Sequence, residues 1–305
     1  MVKERILVVC LNPTFQITLN FSSIKKGEVN RTKNYNHFAS GKGVNVVRMI
    51  KQLNEEAVLL SHLGGERVEE FIRLALKDEV KIISADSKSP IRTCVTLNDD
   101  KTTELIQEPK RVDYETGNKI LKKYKDSLEN FSIVVFSGTR APGYSKSFIP
   151  EMVKIAKEQG KKVILDVKGF DLFESLKYKP EFIKVNLTEF SDTFLGNSNL
   201  LEQDENLQIQ NIAFQKMKEI YLNNKARCII TRGQYPTWYL DEDLNFQEKE
   251  VEKVKVVNTV GCGDAFTAGL AVGLLRKFSL DQCLSFAGEC GSKKATCSKV
   301  GSFFE

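Results

Sequence analysis

The most specific chemistry in this chain is carried by Asn258-Thr259-Val260-Gly261-Cys262-Gly263-Asp264-Ala265-Phe266, which runs into a stretch rich in small residues over 267–277. Two glycines around a small residue, opening a helix, leave backbone N–H groups without intrahelical partners. The helix dipole adds partial positive charge at the same place, and the two effects together make an anion site. A carboxylate in the next position can take a proton from a hydroxyl as that oxygen attacks phosphorus. Asp264 would equally serve the stability of the first helical turn, so this segment alone leaves both roles open. Two other glycine motifs are excluded. Phe266 stands where a dinucleotide fingerprint needs its third glycine, and Gly41-Lys42-Gly43 lacks the Ser or Thr that follows Gly-Lys in a Walker loop.

A second cluster is Ser40-Gly41-Lys42-Gly43-Val44-Asn45-Val46-Val47-Arg48. Glycines on both sides of Lys42 let the backbone approach a ligand, and Asn45, in the first turn of the following helix, can both donate to and accept from sugar hydroxyls. A third is Lys184-Val185-Asn186-Leu187-Thr188-Glu189, a strand end entering a helix. Asn186 and Glu189 fall on one side of that turn. They suit either a hydrated Mg²⁺, which needs few protein ligands, or a reciprocal helix cap.

These residues need a scaffold, and the dominant rhythm is strand, loop, amphipathic helix. Strands are predicted over 5–11, 57–60, 80–84, 133–137, 162–166, 182–185 and 227–231, and helices over 44–53, 66–77, 146–158 and 212–223. Ser279 and Gln282 form a capping box for a last helix. Continuous apolar runs separated by helices argue for a parallel sheet covered on both faces, with ligands at the carboxyl ends of the strands. Two stretches, 14–39 and 91–108, break the rhythm by alternating polar and apolar residues. The second holds a turn at Asn98-Asp99-Asp100, and together they read as a small β-sheet standing off the main body. A further hairpin is expected at 237–240 and 244–248. The polar stretch 196–210 reads as a surface excursion.

The chain has 305 residues, 41% hydrophobic and 28% charged, with a net charge of +5 from lysines scattered among acids. That balance argues against nucleic-acid binding. The sequence has no membrane-spanning run, and its start reads as a first strand rather than a leader. Seven cysteines without a CxxC pair suit reduced thiols in a cytoplasmic protein. Two histidines in unrelated contexts argue against a His-based metal site and a Ser-His-Asp triad.

Taken in order, the three clusters resemble the PfkB (ribokinase-like) family of carbohydrate kinases, and the likeness extends over nearly the whole chain. GCGD is similar to the family's G-A-G-D, SGKGVN to its G-G-K-G-x-N, and NLTE to its N-x-x-E. The resemblance implies an α/β fold, a three-layer αβα sandwich with a mostly parallel sheet, over residues 1–13, 40–90 and 109–305. A β-sheet lid over the sugar would comprise 14–39 and 91–108. It implies ATP and Mg²⁺ as cofactors, Asp264 as general base and Gly261, Cys262 and Gly263 as the anion hole. Val260, Gly261, Gly263, Lys184, Asn186, Thr231, Arg232, Gly233, Gly291 and Ser292 would line the ATP site, and Asn186 and Glu189 would hold Mg²⁺ through water. Substrate contacts would come from Gln16, Arg31, Gly41, Lys42, Gly43, Asn45 and Arg92.

The opening Leu11-Asn12-Pro13 is similar to the subgroup whose substrate is already a sugar phosphate, 1-phosphofructokinases and tagatose-6-phosphate kinases. There, basic side chains of the lid, here Arg31 and Arg92, face the substrate phosphate. Fructose 1-phosphate is the expected acceptor, with tagatose 6-phosphate or fructose 6-phosphate as alternatives. A free sugar or a nucleoside would be an acceptor of another kind, and a catalytically silent sugar-phosphate sensor is the alternative of another class. Relatives form lid-to-lid dimers, so a homodimer is expected. Departures from the pattern fall mainly on the sugar side: Gln16 in place of Asp, Ser40 in place of Gly, Cys94 in place of Asn and Arg140 at an apolar position. Pro236 replaces a glycine of the nucleotide loop, and the family's last helix is missing after Gly301. Cys262, at a helix N-terminus, is expected to have a lowered thiol pKa and to be open to oxidation.

Overall fold

The computed structural model describes residues 5–196, 200–204 and 206–304. Strand β1 (Ile6–Cys10) leads into β2 (Thr14–Asn20), β3 (Tyr35–Ser40) and helix α1 (Lys42–Gln52). There follow β4 (Ala57–Leu63), α2 (Val68–Lys77), β5 (Lys81–Asp86), the hairpin β6 (Arg92–Asn98) and β7 (Thr102–Ile106), and α3 (Thr116–Ser127). The alternation continues through β8 (Ile133–Ser137), α4 (Phe148–Glu158), β9 (Lys162–Asp166), α5 (Gly169–Ser175), β10 (Phe182–Asn186) and α6 (Leu187–Phe194). Next come α7 (Leu207–Asn224), β11 (Arg227–Arg232), the hairpin β12 (Tyr235–Leu240) and β13 (Phe246–Lys249), and the helix pair α8 (Cys262–Leu275) and α9 (Leu280–Ala295).

The main sheet runs β13-β12-β11-β10-β9-β8-β1-β4-β5 and is parallel from β11 to β5, with the β12–β13 hairpin antiparallel at one edge. Its strands are apolar on both faces because both faces are covered. Along β1, Leu7 and Val9 enter one hydrophobic cluster together with Ile120, Met152 and Met217 from α3, α4 and α7. Ile6 and Val8 enter the opposite cluster, with Val46, Phe71, Leu270 and Leu284 from α1, α2, α8 and α9. The architecture is thus the expected αβα sandwich. From β1 the chain builds β4 and β5 on one side and β8 to β11 on the other, so the strand order reverses there. That reversal opens a crevice at the carboxyl ends of β1 and β8, where open α/β sheets take their ligands.

The two non-helical stretches form a separate sheet, ordered β3-β2-β6-β7. Its central pair β2–β6 is parallel, and both outer pairs are antiparallel. An aromatic joint helps to fasten it to the body: the ring of Phe15 meets Phe71 edge-on at 5.4 Å, and Arg67 lies over Phe15 at 3.9 Å.

Several elements differ from the periodicity reading. α3 was not anticipated, because its lysine-rich face hides the Ile120 and Tyr124 stripe that it buries. α5 is too short to show a period. α7 begins five residues earlier than expected, capped by Asn206, whose side chain accepts from Gln208 N. The stretch 196–210 is therefore partly helical, and its residues 197–199 and 205 lie outside the described residues. Beyond α9 the chain folds back as a buried tail through Gly301, Ser302 and Phe303.

Phe71 is fully buried where the second sheet meets α2. Replacing it with alanine should lower unfolding free energy by about 3–5 kcal/mol without changing the denaturant slope. A loss below about 1 kcal/mol would mean that the joint repacks freely.

Candidate active site

Helix α8 opens on Gly261, which adopts φ 91° at the N-cap. The turn before it is held from within, as Val260 N donates to Asn258 Oδ1 at 2.9 Å and Cys262 N to Thr259 O at 3.1 Å. One turn in, Asp264 is buried beside the glycine turn. Burial raises its pKa to about 6; Lys42, the Asn45 hydrogen bond and Lys184 oppose the rise, and Asp166 adds to it.

Asn45, from the first turn of α1, donates Nδ2 to Asp264 Oδ2 at 2.8 Å. Its Oδ1 accepts from Ser40 Oγ at 3.0 Å and Arg48 Nη1 at 2.9 Å, so only the NH₂ end can face the carboxylate. Arg48 is fully buried and spends its other nitrogens on Asp78 Oδ2 (2.8 Å), Gly301 O (3.3 Å) and the carbonyl of Ala39. Ser40, a departure from the family pattern, thus helps to orient Asn45. Gly301 is wedged below: a Cβ on it would sit 2.4 Å from Asn45 Cγ, and a Cβ on Gly261 would sit 2.8 Å from Gly301 N. Three chain segments therefore meet closely beneath the turn, and the buried tail supports it from below.

Beside Asp264 lies a network of charges at the strand ends. Lys42 Nζ is 3.4 Å from Glu189 Oε1 and 3.7 Å from Asp166 Oδ1, and Lys184 Nζ is 3.4 Å from the same Asp166 oxygen. Asp166 also accepts from Ser137 Oγ at 3.0 Å and Thr267 Oγ1 at 3.2 Å, which ties α8 to the end of β9. Burial alone would raise the Asp166 pKa, but the two lysines and two hydroxyls hold it below the ordinary carboxylate range. Asp166 in turn is the main reason that the Lys42 pKa is raised. A Cβ on Gly263 would sit 2.9 Å from Lys184 Nζ, so glycine there lets a lysine stand against the turn.

The three clusters read from the sequence therefore converge, and Asp166 joins them unannounced. Its signal was present: an acid as the last residue of the buried strand KVILD, at the ligand-binding end of a parallel sheet. Asn186 and Glu189 form the reciprocal cap, with Asn186 Oδ1 accepting from Glu189 N and Glu189 Oε2 from Asn186 N. Glu189 Oε1 remains on Lys42.

Other predicted residues are placed as follows. Thr231 ends level with Asn186 across β10–β11, and Gly233 follows at φ 60°. The Arg232 side chain turns away to the carbonyls of Glu202 and Asp204 and stacks on Trp238 at 4.2 Å. Gly291 packs near the Cys262 carbonyl, and Ser292 donates to Glu252 O at 3.3 Å. In the second sheet, Gln16 donates to Thr96 Oγ1 at 2.8 Å, and Cys94 accepts from Thr14 Oγ1 at 3.2 Å. Arg92 keeps a buried Nε with no partner, while its Nη1 reaches Gln107 O at 3.5 Å. Its charge also acts on Cys10, below Gly41, against the upward push of burial on that thiol. Arg31 lies exposed on the connection between β2 and β3, outside the strands. Arg140 Nε donates to both oxygens of the Asp171 carboxylate of α5 at 3.0 Å each, so its apolar-position departure is satisfied by an ion pair.

The expected activation of Cys262 is corrected. Its thiol pKa is raised, not lowered, because burial and the nearby Asp264 outweigh the influence of Lys294. A protonated, half-buried thiol is a poor target for oxidants. Asn186 and Glu189 likewise do not stand in a larger donor set: among the described residues, no three His, Cys, Asp or Glu side chains gather as a metal site.

Over residues 7–305 the chain matches the pfkB family of carbohydrate kinases. Among solved structures it resembles phosphofructokinase-2 from Escherichia coli in complex with fructose-6-phosphate, at TM-score 0.82 and 20% identity, over 97% of this chain and 94% of that one. The tetrameric inhibited form of the same enzyme matches at 0.83 and 22%, with the same coverage. A possible 1-phosphofructokinase from Thermotoga maritima matches at 0.83 and 17%, over 97% of this chain and 93% of that one.

The raised pKa of Asp264 has a sign. The folded state holds a proton that the unfolded chain has lost, so this stabilisation is full below the ordinary carboxylate value of about 3.8 and is gone once pH has risen through about 6. Asp264→Asn should flatten that part of the stability profile. It should also be more stable than wild type at pH 7.5, by on the order of 2–3 kcal/mol in chemical denaturation. An asparagine variant that is less stable at pH 7.5 would show that the carboxylate is not held against its burial.

Proposed function

The chain belongs to the pfkB family of carbohydrate kinases and is an ATP-dependent sugar kinase; from that premise we propose that its acceptor is a sugar phosphate, with fructose 1-phosphate first. One observation carries the reading of the site: a buried carboxylate with its pKa raised to about 6 stands at the head of α8, beside a glycine turn and within reach of two lysines. A base poised near neutrality removes a hydroxyl proton without being permanently charged or permanently protonated.

In this reading the acceptor hydroxyl gives its proton to Asp264 as its oxygen bonds to the γ-phosphorus. The bond from that phosphorus to the β–γ bridging oxygen breaks, and ADP leaves. Backbone N–H groups of Gly261, Cys262 and Gly263 receive the charge on the transferred group. Lys42 and Lys184 flank it from the strand ends. Asn186, Val260, Gly291 and Ser292 belong to the ATP side, as do the main-chain groups of Thr231, Arg232 and Gly233.

Asp264, Asp166 and Glu189 together carry one more charge than Lys42 and Lys184 can balance. A nucleotide triphosphate entering that field needs a divalent cation, so the donor chemistry fits Mg²⁺. Glu189 and Asp166 are the carboxylates to hold it, through water, with Asn186 fixing Glu189. Bound there, Mg²⁺ would neutralise charge on the phosphates.

The sheet of 14–39 and 91–108 is the lid in this proposal. Arg92 supports a phosphorylated acceptor, since its buried Nε lacks a partner that a phosphate oxygen would supply. Gln16 presents an amide where the family has a carboxylate, and Arg31 would have to move with its loop to contribute. Fructose 6-phosphate is the second reading, favoured by the ligand of the Escherichia coli relative. A homodimer through the lid and a cytoplasmic setting complete the proposal. The latter accords with seven free cysteines.

An ADP-release assay across fructose 1-phosphate, tagatose 6-phosphate, fructose 6-phosphate and fructose tests the acceptor. Fructose 1-phosphate should give the highest kcat/KM, and a faster reaction with free fructose would sink the sugar-phosphate assignment. Arg92→Ala should raise KM for the phosphorylated acceptor by about tenfold or more and leave KM for ATP unchanged. With the best acceptor, kcat/KM should fall as pH drops through about 6, and Asp264→Asn should lose most turnover. A near-normal rate in that variant excludes Asp264 as the base.

A further inference from the structure

Lys294 is fully buried near the C-terminal end of α9, and no step described above uses it. Its ammonium donates to two main-chain carbonyls, Asn258 O at 3.0 Å and Cys297 O at 3.2 Å. Burial disfavours a charged amine, so a lysine in such a place must be matched by polar groups that converge on it.

The two carbonyls belong to segments that bracket the glycine turn. Asn258 starts the turn, and its own amide joins the same seam: Oδ1 accepts from Val260 N at 2.9 Å, and Nδ2 donates to Ser298 O at 2.8 Å. Its backbone N donates in addition to Ala295 O at 3.1 Å. Cys297 lies on the stretch that leads to Gly301, the residue wedged between Gly261 and Asn45. The stem of Lys294 runs under the turn, with Cε 3.7 Å from where a Cβ on Gly261 would be. Its charge reaches Cys262, in the middle of the turn, and pulls against the effect of burial on that thiol.

We propose that Lys294 is a positioning residue for phosphoryl transfer, whose ammonium clamps the carbonyls on both sides of the glycine turn and so fixes the direction of its N–H groups. Carbonyl oxygens converging on a compact cation form the kind of cage that would hold a free monovalent ion; here α9 supplies the cation covalently. Anion-binding N–H groups act on a transition state only when they are already aimed at it. Without the ammonium, Asn258 O keeps only the Cys262 thiol at 4.0 Å and Cys297 O loses the Lys294 donor, and the turn, the tail and Asn45 are free to shift together. The proposal rests on the reading of Gly261–Gly263 as the phosphoryl-binding turn.

The test compares Lys294→Met, similar in volume and uncharged, with Lys294→Ala, which leaves a hole among the carbonyls. Wild type and both variants are assayed for ADP release with the best wild-type acceptor, with kcat and KM determined separately and the folded fraction followed by circular dichroism. Both variants should lose roughly 10²-fold in kcat, while KM for the acceptor changes by less than about threefold. Ethylammonium or propylammonium should restore part of the kcat of Lys294→Ala saturably, and neither should restore Lys294→Met, whose side chain fills the space, or Asp264→Asn. A Lys294→Met variant within about twofold of wild-type kcat would overturn the proposal. So would a loss in Lys294→Ala that follows its folded fraction and answers to no amine. Lys294→Met keeps the test open if Lys294→Ala fails to fold. A wild type without turnover on any sugar phosphate would instead remove the reading of the turn itself, and this inference with it.

Discussion

The hydrogen bond from Asn45 to Asp264 joins residues 219 positions apart, and much of the molecule is arranged around keeping it. Asp264 can sit buried only because something donates to it, and Asn45 can donate only because its oxygen is already taken by Ser40 and Arg48. Arg48 in turn can be buried only because Asp78 and two main-chain carbonyls receive its protons. Each link satisfies a buried polar group whose isolation would cost roughly 1–3 kcal/mol or more. The sequence of dependence runs from the surface, where Lys299 also meets Asp78, to the reacting carboxylate.

A second constraint is electrostatic. Asp166 is almost fully buried and stays ionised because Lys42, Lys184, Ser137 and Thr267 all point at it from different elements. Removing either lysine leaves Asp166 short of a countercharge, and a buried charge deprived of its partner is strongly destabilising. The network therefore behaves as a unit, and the ends of β8, β9 and β10, together with the first turns of α1, α6 and α8, are held to one geometry. Asp264 differs from Asp166 in receiving fewer donors. That difference leaves one carboxylate firmly charged and the other near neutrality, within the same crevice.

Much of this was legible beforehand. Runs such as IVVF and KVILD declare buried parallel strands, and the capping boxes at Asn186 and Ser279 have the pattern of an acceptor followed three residues later by Glu or Gln. Two of the site clusters were readable because each joins glycine geometry to a chemically loaded side chain, and the third because Asn186 and Glu189 stand three residues apart where a strand enters a helix. Asp166 was harder, as a single acid after an apolar run also suits an ordinary turn. Gly301 and Lys294 were not readable at all. Their roles come from chain segments far apart in sequence, and no local pattern tells which lysine of a helix will be swallowed by the fold. Cys262 misled because helix position suggests an acidic thiol, whereas the depth of burial sets the opposite sign.

The second sheet is joined to the body by four separate passages of chain: before β2, after β3, before β6 and after β7. A flap hung from one hinge can swing freely, and closing it means gathering a wide range of orientations into one. A plate held at four points is restrained against such swinging, and the Phe15–Phe71 contact adds a fifth point. In the proposed role of a lid, such a sheet has little orientational freedom left to lose, so most of the contact energy made on closure would be retained as affinity.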